Sequence, residues 1–392
     1  MMPEIVIAHD HFSIKGGGER LALILAEEMN AKLIVGYRDG ASYSFDASTL
    51  RFEDLAHPLP LRNPGLRAIT LAATFGRIRS RISKVPVRIF SGVSAPFAAP
   101  AANQDGVNIF YCHTPPRFLY DQKAFFTERS GPVRRLGMAV LGPPFRRGYE
   151  RAVGRMDMIV ANSNNIRRRI RTFLGRDSVV VYPPVDTEGF VWGEPQGYYL
   201  STARLTPLKR IRTIVDAFRT MPDKQLVVAS GGEQFDELRA LAADSPNIRF
   251  TGWTDEAQLR RLVAGSIATL YVPIDEDFGM SPVESMAAGK PVIGVAEGGL
   301  LETVVPGQTG VLLEADFDVR DLADAVRQMT TERAAAMREA CEARAGLFTR
   351  ERFASAMRTV VREALDRKAA GNRRTNIGPD FDAQTEAHEG QH

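Results

Sequence analysis

Two hydrophobic patterns alternate along the chain. Short apolar runs bounded by polar or turn residues occur at Glu4–Ala8, Lys32–Tyr37, Val107–Cys112, Met158–Ala161 and Ser178–Tyr182. Runs this short and this continuously apolar predict strands buried on both faces. Helical patterns separate them. Gly16-Gly17-Gly18 opens one that runs to about Met29, and two more flank Met158–Ala161, the second over Asn164–Leu174. A second series starts with strand Tyr198–Ser201 and helix Leu208–Thr220. Strand Gln225–Ser230, helix Glu233–Ala243, strand Asn247–Thr251, helix Asp255–Ala264 and strand Ile267–Val272 follow. Pro291–Val295 and Gly310–Leu313 add two strands, and helices over about 319–330 and 332–368, with a break near Thr349, end the fold.

Strands alternating with helices predict parallel sheets covered on both faces. Residues 183–197, rich in Pro and Gly, predict a linker between the two series. The expected fold is α/β, with two doubly wound Rossmann-like domains facing an interdomain cleft. The expected boundaries are 1–187 and 188–348, then a C-terminal helix, 349–368, packing back on the first domain. Residues 369–392 are polar with few large apolar side chains and are expected to be disordered.

Length agrees with this division, since 392 residues exceed one ordinary core. A composition 44% hydrophobic and 25% charged is that of a soluble globular protein. No apolar run reaches the length of a membrane span, and the first residues read as a strand, not a signal peptide. Cys112 and Cys341 are the only cysteines and predict two reduced thiols in a cytoplasmic protein.

Net charge is only +3, but it is unevenly placed. From Arg62 to Arg88 there are seven basic residues and no acidic one, interleaved with Leu66, Ile69, Leu71, Phe75, Ile78 and Ile82. Such a stretch, 62–88, either lies on an anionic membrane surface or forms a solvated face. Arg134, Arg135, Arg146, Arg147 and Arg151 form a second basic group. No nucleic-acid motif accompanies the charge, so nucleic acid is not an expected partner.

In doubly wound sheets ligands bind outside the carboxyl ends of the strands. Every candidate residue falls just after a predicted strand. Glu276 and Glu284 stand eight apart, with Phe278, Gly279 and Met280 between them at the start of a helix. Two carboxylates can each take a pair of sugar hydroxyls, and amides at a helix N-terminus favour anionic or oxygen-rich ligands. Arg204 and Lys209 lie at a helix entrance, where cations can clamp a diphosphate. Gly17 and Gly18 let the backbone approach a phosphate, although the spacing is neither that of a P-loop nor that of the dinucleotide fingerprint. His113, at a strand end beside a Pro-Pro turn, can hydrogen-bond a sugar hydroxyl or a phosphate oxygen. Asp275 and Asp277 match an Asp-x-Asp metal pattern, but no octahedral set of oxygen ligands is evident, so no metal and no cofactor is expected.

Together these pieces resemble the GT-B glycosyltransferases of family GT4 over nearly the whole chain except 40–100 and the tail. The paired glutamates followed by Gly289-Lys290-Pro291-Val292-Ile293, the Arg204/Lys209 pair and the glycines at 16–18 carry the resemblance. The stretch Tyr111–Asp121 is similar to a subgroup resembling O-antigen mannosyltransferases, with Tyr120 where that subgroup usually has Trp. The resemblance implies a retaining, metal-independent hexosyltransferase, with an acceptor-side first domain and a second domain holding a nucleotide-sugar donor, GDP-mannose. Arg204, Lys209, Glu276 and His113 would be the catalytic group. Gly17, Gly18, Phe278, Gly279, Met280 and Glu284 would bind the donor with Arg204 and Lys209. The base would sit near Gly231, Gly232, Thr251, Gly252 and Trp253. The acceptor would be a glycan or a polyprenyl-diphosphate-linked oligosaccharide in cell-surface polysaccharide synthesis, reached from the cytoplasmic face of the membrane. Three alternatives remain open at this point: a UDP-sugar donor, a sugar-nucleotide epimerase of the same architecture, and a non-catalytic sugar-nucleotide scaffold.

Overall fold

A computed structural model describes residues 3–13, 16–40, 42–43, 50–56, 64–102 and 105–371. Residues 372–392 of the predicted tail, Arg62 and the start of the glycine loop at Lys15 lie outside the described residues. The chain divides into two compact units, residues 1–182 with 353–392, and residues 183–352.

The first unit holds a seven-stranded parallel sheet. Its strands are β1 (Ile5–His9), β2 (Lys32–Val35), β3 (Phe52–Asp54), β4 (Val87–Ser91), β5 (Val107–Cys112), β6 (Met158–Ala161) and β7 (Val179–Val180), in spatial order β3-β2-β1-β4-β5-β6-β7. Alternation along β1 explains the two layers of helices. Ile5 and Ile7 face a core built from Leu21, Leu25, Phe353, Met357 and Val361, whereas Val6 and Ala8 face Leu71, Phe75 and Tyr149. Phe353 and Met357 belong to the C-terminal helix Arg350–Ala369, and Lys368 near its end pairs with Asp157 at 3.2 Å.

The second unit holds a six-stranded parallel sheet. Its strands are β8 (Tyr198–Ser201), β9 (Gln225–Val228), β10 (Ile248–Phe250), β11 (Ser266–Tyr271), β12 (Val292–Val295) and β13 (Gly310–Leu313), in order β10-β9-β8-β11-β12-β13.

Three local readings need correction. Residues 183–197 are not a loose linker. Phe190 is buried, and Trp192 is packed by Lys290 at 3.5 Å and Arg338 at 4.6 Å, so the aromatic content of the segment anchors it to the second unit. The helix expected over Leu208–Thr220 is broken. Pro207–Lys209 form a 3-10 turn, Arg210 adopts a left-handed conformation (φ 51°), and the α-helix runs only over Ile211–Arg219.

The helical pattern 332–368 breaks near Thr349 as expected and once more at Met337, giving Thr331–Ala336, Arg338–Ala345 and Arg350–Ala369. In the stretch 62–88, helix Pro64–Ile82 turns Leu71, Phe75, Ile78 and Ile82 into the core. Arg88 sits buried in β4. Its guanidinium donates to Asn108 Oδ1 at 2.8 Å and to the carbonyls of Ser83, Val85 and Asp105 at 2.9 Å.

Candidate active site

Both sheets reverse their strand order beside the first strand, between β1 and β4 in the first unit and between β8 and β11 in the second. Chains leaving adjacent strands at a reversal go to opposite sides and open a crevice. Most of the predicted residues lie around these two points, each set within its own unit.

In the second unit Lys209 follows β8 and Glu276 follows β11. Lys209 donates to the Glu276 carboxylate and, at 3.0 Å, to the hydroxyl of Tyr271, the last residue of β11. Burial opposes the ammonium charge, but Tyr271 and Glu276 outweigh it and hold the Lys209 pKa above its ordinary value. The left-handed turn at Arg210 ends the short helix here, and the Ile274 amide donates to Leu208 O at 2.8 Å, tying the two loops. Arg204, between β8 and that short helix, is exposed.

The Glu276 loop leads into the helix Met280–Ala287. Phe278 turns its ring inward against Phe348, at 5.4 Å between centroids, so its side chain belongs to the core. Gly279 takes φ 91° at the N-cap position, a conformation that suits glycine. The amides around Met280 therefore open a helix whose N-terminal dipole favours negative charge. Glu284 lies half-buried one turn further on. Ser285 Oγ meets Thr269 Oγ1 at 2.8 Å, which roots this helix on β11.

Sequence reasoning missed the segment that holds these loops together. Glu297, just after β12, accepts from Arg210 through one carboxylate oxygen and from the Asp275 amide, at 2.9 Å, through the other. The Gly299 amide donates to Glu276 O at 2.8 Å. A Cβ on Gly298 would come within 2.3 Å of Glu276 O, and one on Gly299 within 2.3 Å of Phe278 Cα. The loops therefore interlock backbone to backbone. The available signal was the strand-end position that Glu297-Gly298-Gly299 shares with the predicted residues. The predicted base-contact residues also meet: a Cβ on Gly231 would lie 2.4 Å from Trp253 Nε1, and Trp253 is 70% exposed.

In the first unit Gly17 and Gly18 begin the helix Gly17–Glu28, and a Cβ on Gly18 would stand 3.7 Å from the His113 ring. Glycine loop and histidine are thus neighbours. Ser91, at the end of β4, joins His113 to a residue not anticipated: its Oγ lies 2.7 Å from His113 Nε2 and 3.0 Å from His9 Nδ1. Burial lowers the His113 pKa to about 4, so its imidazole is neutral near pH 7 and suited to hydrogen-bonding hydroxyls. His9 is also lowered well below the ordinary imidazole value, by burial first and then by His113 and His11. Asp10 accepts from the amides of Val93, Ser94 and Ala95 at 2.7–3.0 Å. Burial raises its pKa to about 6 despite those bonds.

Among the described residues no group of three or more His, Cys, Asp or Glu is placed to hold a metal ion, and no helix is long and apolar enough to cross a membrane. The second unit thus offers cations and helix-end amides at one switch point, and the first offers glycine amides and a neutral imidazole at another. Cations suit a diphosphate, a neutral imidazole suits a sugar hydroxyl, and amides suit either.

Comparison with known proteins gives the same direction. The family model described as Glycosyltransferase Family 4 matches residues 15–189, and that described as Glycosyl transferases group 1 matches residues 184–346. An alpha-1,3/1,6-mannosyltransferase (ALG2) of Dictyostelium discoideum is 27% identical over 272 residues, covering 57% of this chain and 62% of the relative. The chain thus spans less than two thirds of the length of that curated relative. Among solved structures, sucrose-phosphate synthase from Thermosynechococcus elongatus superposes with a TM-score of 0.74 at 17% identity, over 92% of this chain and 98% of its own. Anabaena HepE in complex with UDP and glucose gives 0.73 at 15%, over 92% and 100%. At these identities the structures establish the shared fold.

Proposed function

The chain belongs to the family 4 glycosyltransferases and has their GT-B fold, and from that premise we propose that it transfers mannose from GDP-mannose to a glycan or lipid-linked oligosaccharide acceptor with retention at the anomeric carbon. The observation that carries this reading is the assembly of Lys209, Glu276, Tyr271 and the Met280 helix start at the β8/β11 switch point. The mannosyl choice is supported by the likeness to the Dictyostelium mannosyltransferase.

In this reading the second unit holds the donor. Arg204 and Lys209 offset the charge that grows on the leaving diphosphate, where electrostatic help lowers the barrier most. Glu276 and the amides of Phe278, Gly279 and Met280 orient the sugar, and Glu284 accepts from the ribose hydroxyls. In the first unit, the amides of Gly17 and Gly18 add donors to the diphosphate and neutral His113 bonds the sugar. The bond from the anomeric carbon to the phosphate oxygen breaks. The bond to the acceptor oxygen forms on the same face, and the acceptor proton passes to the departing phosphate. This route uses no metal and no covalent enzyme intermediate.

A thermal-shift panel of GDP-mannose, GDP-fucose, UDP-glucose, UDP-galactose and UDP-N-acetylglucosamine, with and without EDTA, tests it. Ligands that bind only the folded chain raise Tm by mass action. A shift selective for GDP-mannose, kept in EDTA and lost in Glu284→Ala, is expected. A shift with a UDP-sugar alone overturns the donor. Conversion of donor alone to an epimer overturns transfer.

A further inference from the structure

Four of the nine large apolar side chains exposed among the described residues lie on one helix, Pro132–Val153. Val133 is 85% exposed, Leu136 66%, Val140 62% and Leu141 38%. The buried residues of this helix are Phe145, Tyr149, Ala152 and Val153, all in its C-terminal part. Phe145 packs with Phe97 and Phe118, so the helix is fixed at that end. Its first three turns are held out with their apolar side chains uncovered.

The pattern on this helix is ordered. Val133, Leu136, Val140 and Pro144 recur at spacings of three and four, which places them on one face, and Arg147 and Arg151 continue that face. Pro144, Arg147 and Arg151 are exposed as well. Over 123–151 there are seven basic side chains and two acidic ones, Glu128 and Glu150, and Glu150 is already paired with Arg146 at 2.7 Å. Arg135 folds back onto the carbonyls of Thr127 and Glu128 at 2.9 Å, placing its charge at the N-terminal end of the same helix.

We propose that this face of the Pro132–Val153 helix docks on the surface of an anionic lipid bilayer, with Val133, Leu136, Val140 and Leu141 entering the interface and Arg147 and Arg151 meeting lipid phosphates. Charge complementarity selects the partner. A second copy docking through the same patch would bring arginines against arginines, since a two-fold contact sets like surfaces together. An apolar stripe bordered by arginine is the pattern of helices lying in the plane of a membrane interface. The helix does not cross the membrane, because no helix of the described residues is long and apolar enough. The proposal is independent of the donor, and it differs from the contact through 62–88 that charge clustering alone suggested.

Vesicle co-sedimentation of the full chain tests it, with phosphatidylglycerol-containing vesicles against phosphatidylcholine vesicles at low and high salt. Binding to the anionic vesicles at least tenfold stronger than to the neutral ones, weakened by salt, is expected. Leu136→Ser with Val140→Ser should lower it about tenfold, and Arg147→Gln with Arg151→Gln several-fold and with less salt dependence. Arg77→Gln with Lys84→Gln, on the exposed side of the 62–88 segment, should leave binding unchanged. A second readout uses Leu136→Trp, whose emission should be quenched by brominated lipid; the two native tryptophans are in the other unit. Wild-type chain that ignores anionic vesicles, or binding lost only in the Arg77/Lys84 variant, overturns the proposal. A change from dimer to monomer in the Leu136/Val140 variant with vesicle binding intact assigns the face to a second copy and also overturns it.

Discussion

Lys209 and Glu276 are held against one another at the mouth of the β8/β11 crevice, with Tyr271 beneath them. The cation proposed for the diphosphate is thus preorganised by the carboxylate proposed for the sugar. Lys209→Ala should lower kcat/KM by about 10²–10³-fold, the usual effect of removing one preorganised charge-stabilising donor. Tyr271→Phe, which keeps the ring and removes the acceptor of Lys209, should cost about tenfold, mostly in kcat. Steady-state transfer with the donor identified by thermal shift measures both. Equal activity in Lys209→Ala and wild type would remove Lys209 from the proposed catalytic group.

Ser91 Oγ holds the His113 ring at Nε2, and in the proposed reading Nδ1 is the nitrogen that meets the sugar. Ser91→Ala should reduce kcat by about five- to twentyfold while folding stability falls by about 1–3 kcal/mol, the usual worth of its two hydrogen bonds to His113 and His9. Ser91→Thr, which restores the hydroxyl, should recover much of the loss. A Ser91→Ala enzyme with unaltered kcat would show that the ring is positioned by other contacts.

The interlock of the 275–280 and 297–300 loops leaves no space for a methyl group. In Gly299→Ala the new Cβ would stand 2.3 Å from Phe278 Cα and 2.6 Å from its carbonyl oxygen. Backbone must shift, so a loss of roughly 1–3 kcal/mol in stability and a weakened donor-induced rise in Tm are expected. Gly307→Ala serves as control for backbone strain: its φ is 79°, whereas that of Gly299 is an ordinary −71°, and its Cβ meets nothing within 4 Å. Comparing donor-induced shifts in the two variants separates backbone strain from loss of the site.

Acid should destabilise the first unit. His11 and His113 have pKa values lowered to about 4 in the folded chain, against 6.5 for a free side chain. Between those values the unfolded chain binds more protons, so their contribution is complete above pH 6.5 and is lost as pH falls towards 4. His9 acts in the same direction. Asp10 acts oppositely: with its pKa raised to about 6, it costs stability as pH rises from 3.8 through 6 and returns it on acidification. Three imidazoles against one carboxyl give a net loss. Tm measured from pH 7.5 down to 4.5 should fall, and His113→Asn should show a shallower fall than wild type.

Much of the fold was legible because a strand buried on both faces is apolar at nearly every position. Met158–Ala161 carries that signature throughout, and Val107–Cys112 carries it apart from Asn108. The strand Val87–Ser91 does not, because Arg88 interrupts it. Only Asn108 on β5 and three carbonyls brought near by folding make that guanidinium tolerable in a buried strand. Helix Pro64–Ile82 stayed open for a related reason. Its apolar period is the same whether a bilayer or a protein core covers it, and in the folded chain Leu71, Phe75, Ile78 and Ile82 pack in the core.

The candidate residues show the same division. By itself the sequence determined which groups stand at strand ends: Gly17, Gly18, His113, Arg204, Lys209, Glu276, Phe278, Gly279, Met280 and Glu284. It also determined the family, since the residue types and spacings that carry the family are local. Tertiary structure alone decided their partners. That Tyr271 lies under Lys209, that Ser91 links His9 to His113, and that Glu297 binds both Arg210 and the Asp275 amide depends on which strands become neighbours. Those pairs are 22 to 87 residues apart. Strand order is set by the packing of whole layers, and no local pattern of residues encodes it.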